Sequence, residues 1–215
     1  MVDEVLDTIL RSVMVSGVAT VLASLWSIPL AYMLVFRGGR APIIEAVVET
    51  LVGIPTVVLG LLLYMMFSSS GPLGFLGLLY TPQAIIIGEA ILITPLIISI
   101  SYRSIRETAH LYYELALSIG ANRFQRMRLV VSQSLPGIVA SCITGFSRAM
   151  GELGVAMMVG GNIRGYTRVM TTAIALEVAR GGFEEAIVLG LVLLLITVSI
   201  SIAVKLLTRV RSTWM

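Results

Sequence analysis

Apolar residues do not alternate along this chain; they come in long blocks separated by short basic segments. The first block runs without a charge from Ser12 to Phe36, bounded by Arg11 and Arg37. A helix needs about 20 predominantly apolar residues to cross the hydrocarbon core of a bilayer, and this block exceeds that. Four more blocks follow, so the pattern predicts spans near 11–36, 44–67, 83–102, 137–160 and 185–207. Gly53-Ile54-Pro55 interrupts the second. Pro95 and Glu89 lie in the third, Arg148 and Glu152 in the fourth, and the fifth is uncharged from Ala186 to Val204. Proline and glycine are tolerated in such helices because neighbouring groups satisfy the freed backbone. The expected architecture is one all-α membrane domain, residues 1–215, with about five transmembrane helices.

Composition narrows the function classes. Of the 215 residues 57% are hydrophobic and 13% charged, about half the charge of an ordinary soluble domain. The single cysteine, Cys142, excludes a disulfide framework and a cysteine-built metal site, and the single histidine, His110, reads as a polar loop residue. The 15 basic residues against 12 acidic ones reflect loop charge rather than nucleic-acid binding. Ten of them (Arg37, Arg40, Arg103, Arg106, Arg123, Arg126, Arg128, Lys205, Arg209 and Arg211) fall on one side of the five-span topology, and Arg11, Arg164, Arg168 and Arg180 on the other. Basic loops stay in the cytoplasm. The N-terminus is therefore expected outside and the C-terminus inside a plasma membrane. The first block follows Asp3, Glu4 and Asp7 rather than a basic segment, so it reads as a retained helix and not a signal peptide.

The cytoplasmic segment 103–136 is too long for a simple turn. Leu111, Leu115, Ala116 and Ile119 recur in it at helical spacing. A helical insertion on that face implies a docking partner. Within it stand Glu114-Leu115-Ala116, then Gly120-Ala121, then the basic run Asn122 to Arg128. This resembles the Glu-Ala-Ala loop of ABC importer permeases, with Leu115 in place of the first alanine. Ser147 to Gly154, containing Arg148, Gly151 and Glu152, resembles the Arg-X-X-Gly-Glu segment of permeases for molybdate, tungstate and sulfate. Gly71 to Gly74 with Tyr80-Thr81-Pro82, on so short a chain, is most similar to the tungstate subfamily.

The resemblance implies a type I ABC importer permease (MetI-like) fold whose coupling helix, with Glu114, Leu115, Ala116, Gly120, Ala121 and Arg123, contacts a cytoplasmic ABC ATPase dimer. It further implies a homodimer, an extracytoplasmic oxyanion-binding protein, surrounding membrane lipid and no nucleic acid. ATP and magnesium would belong to the ATPase, since the chain holds no Gly-X4-Gly-Lys-Ser/Thr loop; the chain itself would hold no cofactor, no metal and no catalytic residue. Tungstate or molybdate is the expected cargo, with sulfate, phosphate or another small solute as the alternative. An ion-coupled secondary transporter is the rival class, but no internal repeat of the kind such carriers use is visible.

Arg148 and Glu152, four residues apart, share one helix face. A charge inside a bilayer costs at least a few kcal/mol and faces a partner or a water-filled path. Two roles stay open: an ion pair between helices, or a lining for an anion path. Glu89 reads as a helix-packing hydrogen bond, and Gly151, Gly154, Gly160 and Gly161 as points of close helix approach.

Overall fold

The computed structural model describes residues 2–37 and 41–212. Arg40 and the last three residues, including Thr213, lie outside them. Among the described residues there are eight α-helices and no strand: α1 (Val2–Arg37), α2 (Ala41–Val52), α3 (Thr56–Phe67), α4 (Pro82–Ser118), α5 (Arg123–Met150), α6 (Gly154–Gly160), α7 (Met170–Arg180) and α8 (Phe183–Ser212). Four of them are long and apolar enough to cross a membrane. The bent pair α2–α3 makes a fifth if the two are counted as one span.

Each departure from the expected spans has a local cause. Around Gly53-Ile54-Pro55 the chain turns by 94°, so the second block is two helices instead of one. Pro55 removes a backbone donor and fixes its own φ at −61°, which starts α3 on a new axis. The fourth block ends at Met150, not near 160, and restarts as α6 after a break at Gly151-Glu152-Leu153. The third block continues past its expected limit. α4 has 37 residues, about 55 Å at the usual rise, so it crosses the bilayer and projects beyond it. Segment 103–136 is thus no loop: it comprises the end of α4, a four-residue turn and the start of α5.

The long helices pack along lines of small side chains. α1 presents Ala19, Ala23, Ser27 and Ala31, all buried, toward α4. Hydrocarbon offers no driving force for helix association, so close van der Waals contact and polar bonds must supply it. Ser101 of α4 and Ser141 of α5 accordingly share a buried hydrogen bond of 2.8 Å. Three apolar clusters fill the bundle in sequence. One around Leu63, Phe67, Ile85 and Val159 joins α1, α3, α4 and α6. The middle one centres on Ile93, Ile97 and Ala149. The third gathers Leu34, Val48, Tyr102, Ile105 and Val130 at the other end. α8 packs chiefly on α7 and α5 and leaves Leu191, Leu194, Leu195 and Val198 exposed.

The short helices α3 and α6 cross at two glycines. A Cβ on Gly154 would stand 2.6 Å from Thr56 Oγ1 and 3.0 Å from the Val57 backbone nitrogen, and one on Gly60 would meet Met158 at 3.0 Å. Gly160 packs against Ile85 in the same way, whereas a Cβ on Gly151 would touch nothing closer than 3.7 Å. Close approach therefore explains Gly154 and Gly160. Gly161 meets two needs at once: a Cβ there would stand 2.6 Å from the Tyr80 ring, and its φ of +69° is one L-residues rarely adopt.

Gly154→Ala should force α6 away from backbone and cost about 1–3 kcal/mol. Gly17→Ala, in a helix with nothing within 4 Å, should be neutral or gain up to about 1 kcal/mol. Thermal unfolding of both variants in one detergent checks the contrast.

Candidate docking tip and intramembrane ion pair

The exposed tip of the α4–α5 hairpin forms because the sequence ends one helix and starts another within four residues. The Gly120 N–H donates to Leu117 O at 3.0 Å and the Ala121 N–H to Ala116 O at 2.9 Å. That pair of bonds, with φ +76° at Gly120, is a Schellman ending. Asn122 then caps α5: its side chain accepts from the Gln125 N–H at 2.9 Å, and the Gln125 side chain accepts from the Asn122 N–H at 2.8 Å. This reciprocal box satisfies two otherwise orphaned donors.

The six residues expected at the coupling segment come together here with distinct exposures. Glu114, Leu115, Gly120 and Arg123 are exposed, Ala121 is half-buried and Ala116 is buried. Ile119 is 78% and Phe124 74% exposed, the tip's largest apolar surfaces. The sequence reading did not single out Phe124, although its place in the basic run after Gly120 marks it. Aromatic contacts brace the tip from behind. The Arg126 guanidinium lies 4.6 Å from the Tyr113 ring centre. Tyr113 stacks on Phe36 and Phe36 on Tyr32 at 6.2 and 4.8 Å, and the Tyr32 hydroxyl donates to Met127 O at 3.3 Å. Two ion pairs tie α2 to the same stretch of α4: Glu45 with Arg106 at 3.2 Å, and Glu49 with Arg103.

The second expected site is the break between α5 and α6. The Arg148 guanidinium donates to Glu152 Oε2 at 2.8 Å. The other carboxylate oxygen accepts from the Val155 N–H at 3.1 Å, and the Thr171 hydroxyl of α7 donates to the Glu152 carbonyl at 2.7 Å. Glu152 is 2% exposed, whereas the Arg148 side chain is 41% exposed. The carboxylate thus does two things: it neutralises Arg148 and takes up a backbone donor that opens α6. Only the first was legible as an i, i+4 pair. The second, and Thr171, depend on where the helix breaks. The Arg148 side chain stays partly exposed, and its guanidinium has further donors beyond the one given to Glu152.

The opposite end of the bundle carries a clamp that the sequence analysis missed. Glu4 near the start of α1 accepts from Arg164 Nε at 2.5 Å and lies 3.6 Å from Arg168. Arg11 donates to the Gly165 and Arg168 carbonyls at 2.9 and 3.1 Å, and the Met170 N–H to Ser12 Oγ at 2.8 Å. The bond to Glu4 holds the Arg164 guanidinium in its protonated form even more firmly than usual. Partners more than 150 residues apart in sequence offer no local signal. Among the described residues no group of three His, Cys, Asp or Glu side chains could hold a metal ion.

Arg148→Met should cost about 3–5 kcal/mol by leaving Glu152 buried without its cation, and Arg148→Met with Glu152→Gln should recover most of that loss. Thermal unfolding of the single and double variants measures the recovery.

Residues 23–212 match the family model described as the binding-protein-dependent transport system inner membrane component. The chain is 38% identical over 92% of its length to the tungstate uptake system permease protein TupB of Peptoclostridium acidaminophilum, covering 87% of that protein. It is 33% identical over 88% of its length to a probable anion ABC transporter permease protein of Haloferax volcanii, covering 84% of it. Among solved structures, the crystal structure of an amino acid ABC transporter with histidines superposes with a TM-score of 0.72 at 16% identity, covering 97% of this chain and 94% of that one. With nearly the whole sequence inside the family model and the same helical fold, this chain belongs to the inner membrane components of binding-protein-dependent transport systems, as an ABC permease.

Proposed function

We propose that this permease imports tungstate, working as a homodimer by alternating access and driven by a separate ATPase dimer in the cytoplasm. The tip of the α4–α5 hairpin carries the reading. It presents apolar Leu115, Ile119 and Phe124 beside Glu114 and Arg123 on a rigid, doubly capped turn. Apolar side chains surrounded by charge are the composition of a protein-binding surface, and a bilayer offers this part of α4 no cover.

In this mechanism the ATPase seats on Glu114 to Arg123 and moves the hairpin. The motion passes along α4 and, through the Glu45 and Glu49 pairs, into α2. An extracytoplasmic binding protein delivers the oxyanion at the opposite face, near 68–82 and 161–184, with the N-terminus outside and the C-terminus in the cytoplasm. The path follows the two-fold axis, and Arg148 meets the passing anion with donors that match a tetrahedral oxyanion. The tungstate assignment rests on the relatives' chemistry; molybdate and sulfate, which share charge and shape, are its competitors. ATP and magnesium act on the partner chain.

Uptake of tungstate by vesicles holding the permease and its co-expressed ATPase should require ATP and the binding protein, and molybdate and sulfate should compete more weakly. Uptake driven by an ion gradient without ATP would assign a secondary carrier instead.

Gly120→Val places a β-branched residue at φ +76°, where it is strained. This variant should reach the membrane folded yet lose the ATPase on purification; undiminished co-purification would overturn the docking role. Cysteines placed at Ser69 and Ser118 should label with impermeant reagents from opposite faces.

A further inference from the structure

Beyond Leu135, α5 exposes no large apolar side chain. What it exposes on the way to the break is Pro136, Ala140, Thr144 and Arg148, with Gln133 just before them. Ala140, Thr144 and Arg148 recur every four residues and so share one helix face. The exposed faces of α1 and α8 are of another kind, with Met14, Val21 and Leu25 on the first and Leu191, Leu194 and Leu195 on the second, side chains suited to hydrocarbon. The depth of the α5 face follows from its neighbour. Ser141 shares a hydrogen bond with Ser101, two residues before Arg103, the first charge on α4 after Glu89. Ala140 thus lies near the membrane edge on the side of the tip, and Arg148 stands about 12 Å deeper.

Lipid, a helix of a second copy packed dry, or water could cover this face. The first two would leave the Arg148 donors not given to Glu152 without acceptors in a medium that supplies none; water satisfies them. Between Glu114 and Glu152 the chain holds no Asp or Glu, so nothing on α5 repels an anion there. The Thr144 hydroxyl donates to Ala140 O at 2.9 Å, a carbonyl that also serves the helix ladder. The hydroxyl can therefore turn to an outside acceptor without stranding a polar group.

We propose that this face lines the inner, water-filled half of the oxyanion's route, and that the Thr144 hydroxyl and then the Gln133 amide are the donors the anion meets after leaving Arg148. The assignment rests on the reading of this chain as an oxyanion permease and deepens it. An oxyanion leaving bulk water needs donors in place of its hydration shell. Arg148 supplies charge, while Thr144 and Gln133 supply neutral donors that hold the anion weakly enough to pass it on.

The test uses the full-length permease with its co-expressed ATPase in nanodiscs, in a Cys142→Ser background that removes the one native thiol. Ala140→Cys, Thr144→Cys and, as a lipid-face control, Leu195→Cys are treated with methanethiosulfonates carrying a sulfonate or a trimethylammonium group, with rates taken relative to a free thiol. The Ala140→Cys and Thr144→Cys variants should react at least about tenfold faster than Leu195→Cys and should favour the sulfonate. That preference should fall by about fivefold or more when Arg148→Met and Glu152→Gln are added together. Thr144→Val should lower tungstate uptake by about tenfold, Thr144→Ser should keep it, and both should keep the wild-type Tm. The proposal is overturned if Ala140→Cys and Thr144→Cys react no faster than Leu195→Cys, if they cross-link between copies without labelling, if reagent charge makes no difference, or if Thr144→Val and Thr144→Ser transport alike. Labelling requires no transport. Sulfonate-preferring variants in a permease that takes up no tungstate would therefore support the path and overturn the cargo assignment alone.

Discussion

A helix that breaks inside a bilayer must satisfy its freed backbone groups from its own protein, because the hydrocarbon offers no hydrogen bonds. This chain breaks twice, at Gly53-Ile54-Pro55 and at Gly151-Glu152-Leu153, and the rest of the architecture is arranged around those breaks. At the second, Glu152 takes the Val155 N–H and Thr171 takes the Glu152 carbonyl. At the first, Pro55 has no N–H that needs an acceptor, and its carbonyl accepts from the Leu59 N–H at 3.1 Å. The two helices that begin there, α3 and α6, then seal against one another through Gly60 and Gly154. A buried carboxylate is a strong acceptor for a backbone donor, and its charge calls for Arg148. The intramembrane ion pair is thus a consequence of the break.

Much of this was legible in the sequence. Long uncharged blocks fixed the class and the number of apolar segments because length against bilayer thickness is a physical threshold. The turn between α4 and α5 was legible as well, since Gly120 and Asn122 are chemical punctuation with specific backbone consequences. Hydrophobicity alone could not show where a block bends or stops. Met150 and Val155 are equally apolar on either side of a break, and only glycine and the Glu152 side chain decide it. Nor could a window of hydropathy reveal that α4 continues through Arg103 and Arg106, because arginine ends an apolar block while being a good helix former.

The distribution of polar bonds separates the two ends of the molecule. At the end carrying the tip, ion pairs join α2 to α4 and aromatic rings join α1 to the hairpin. At the other, Glu4 and Arg11 fasten the start of α1 to residues 164–168. Such exposed pairs are individually weak. Each nevertheless links elements far apart in sequence, so together they fix how the ends of long helices sit against their neighbours.

The continuity of α4 has a mechanical consequence. A single 37-residue helix with a Schellman ending at one end and the Thr81 cap, which accepts from the Ala84 N–H at 3.3 Å, at the other has no internal joint except Pro95. A helix of that kind can act as a seesaw beam. Rotating a rod of about 55 Å by about 5° around its midpoint displaces either end by about 2 Å, in opposite directions. A rigid rotation of this kind would shift the tip one way and the turn that holds Tyr80 and Thr81 the other.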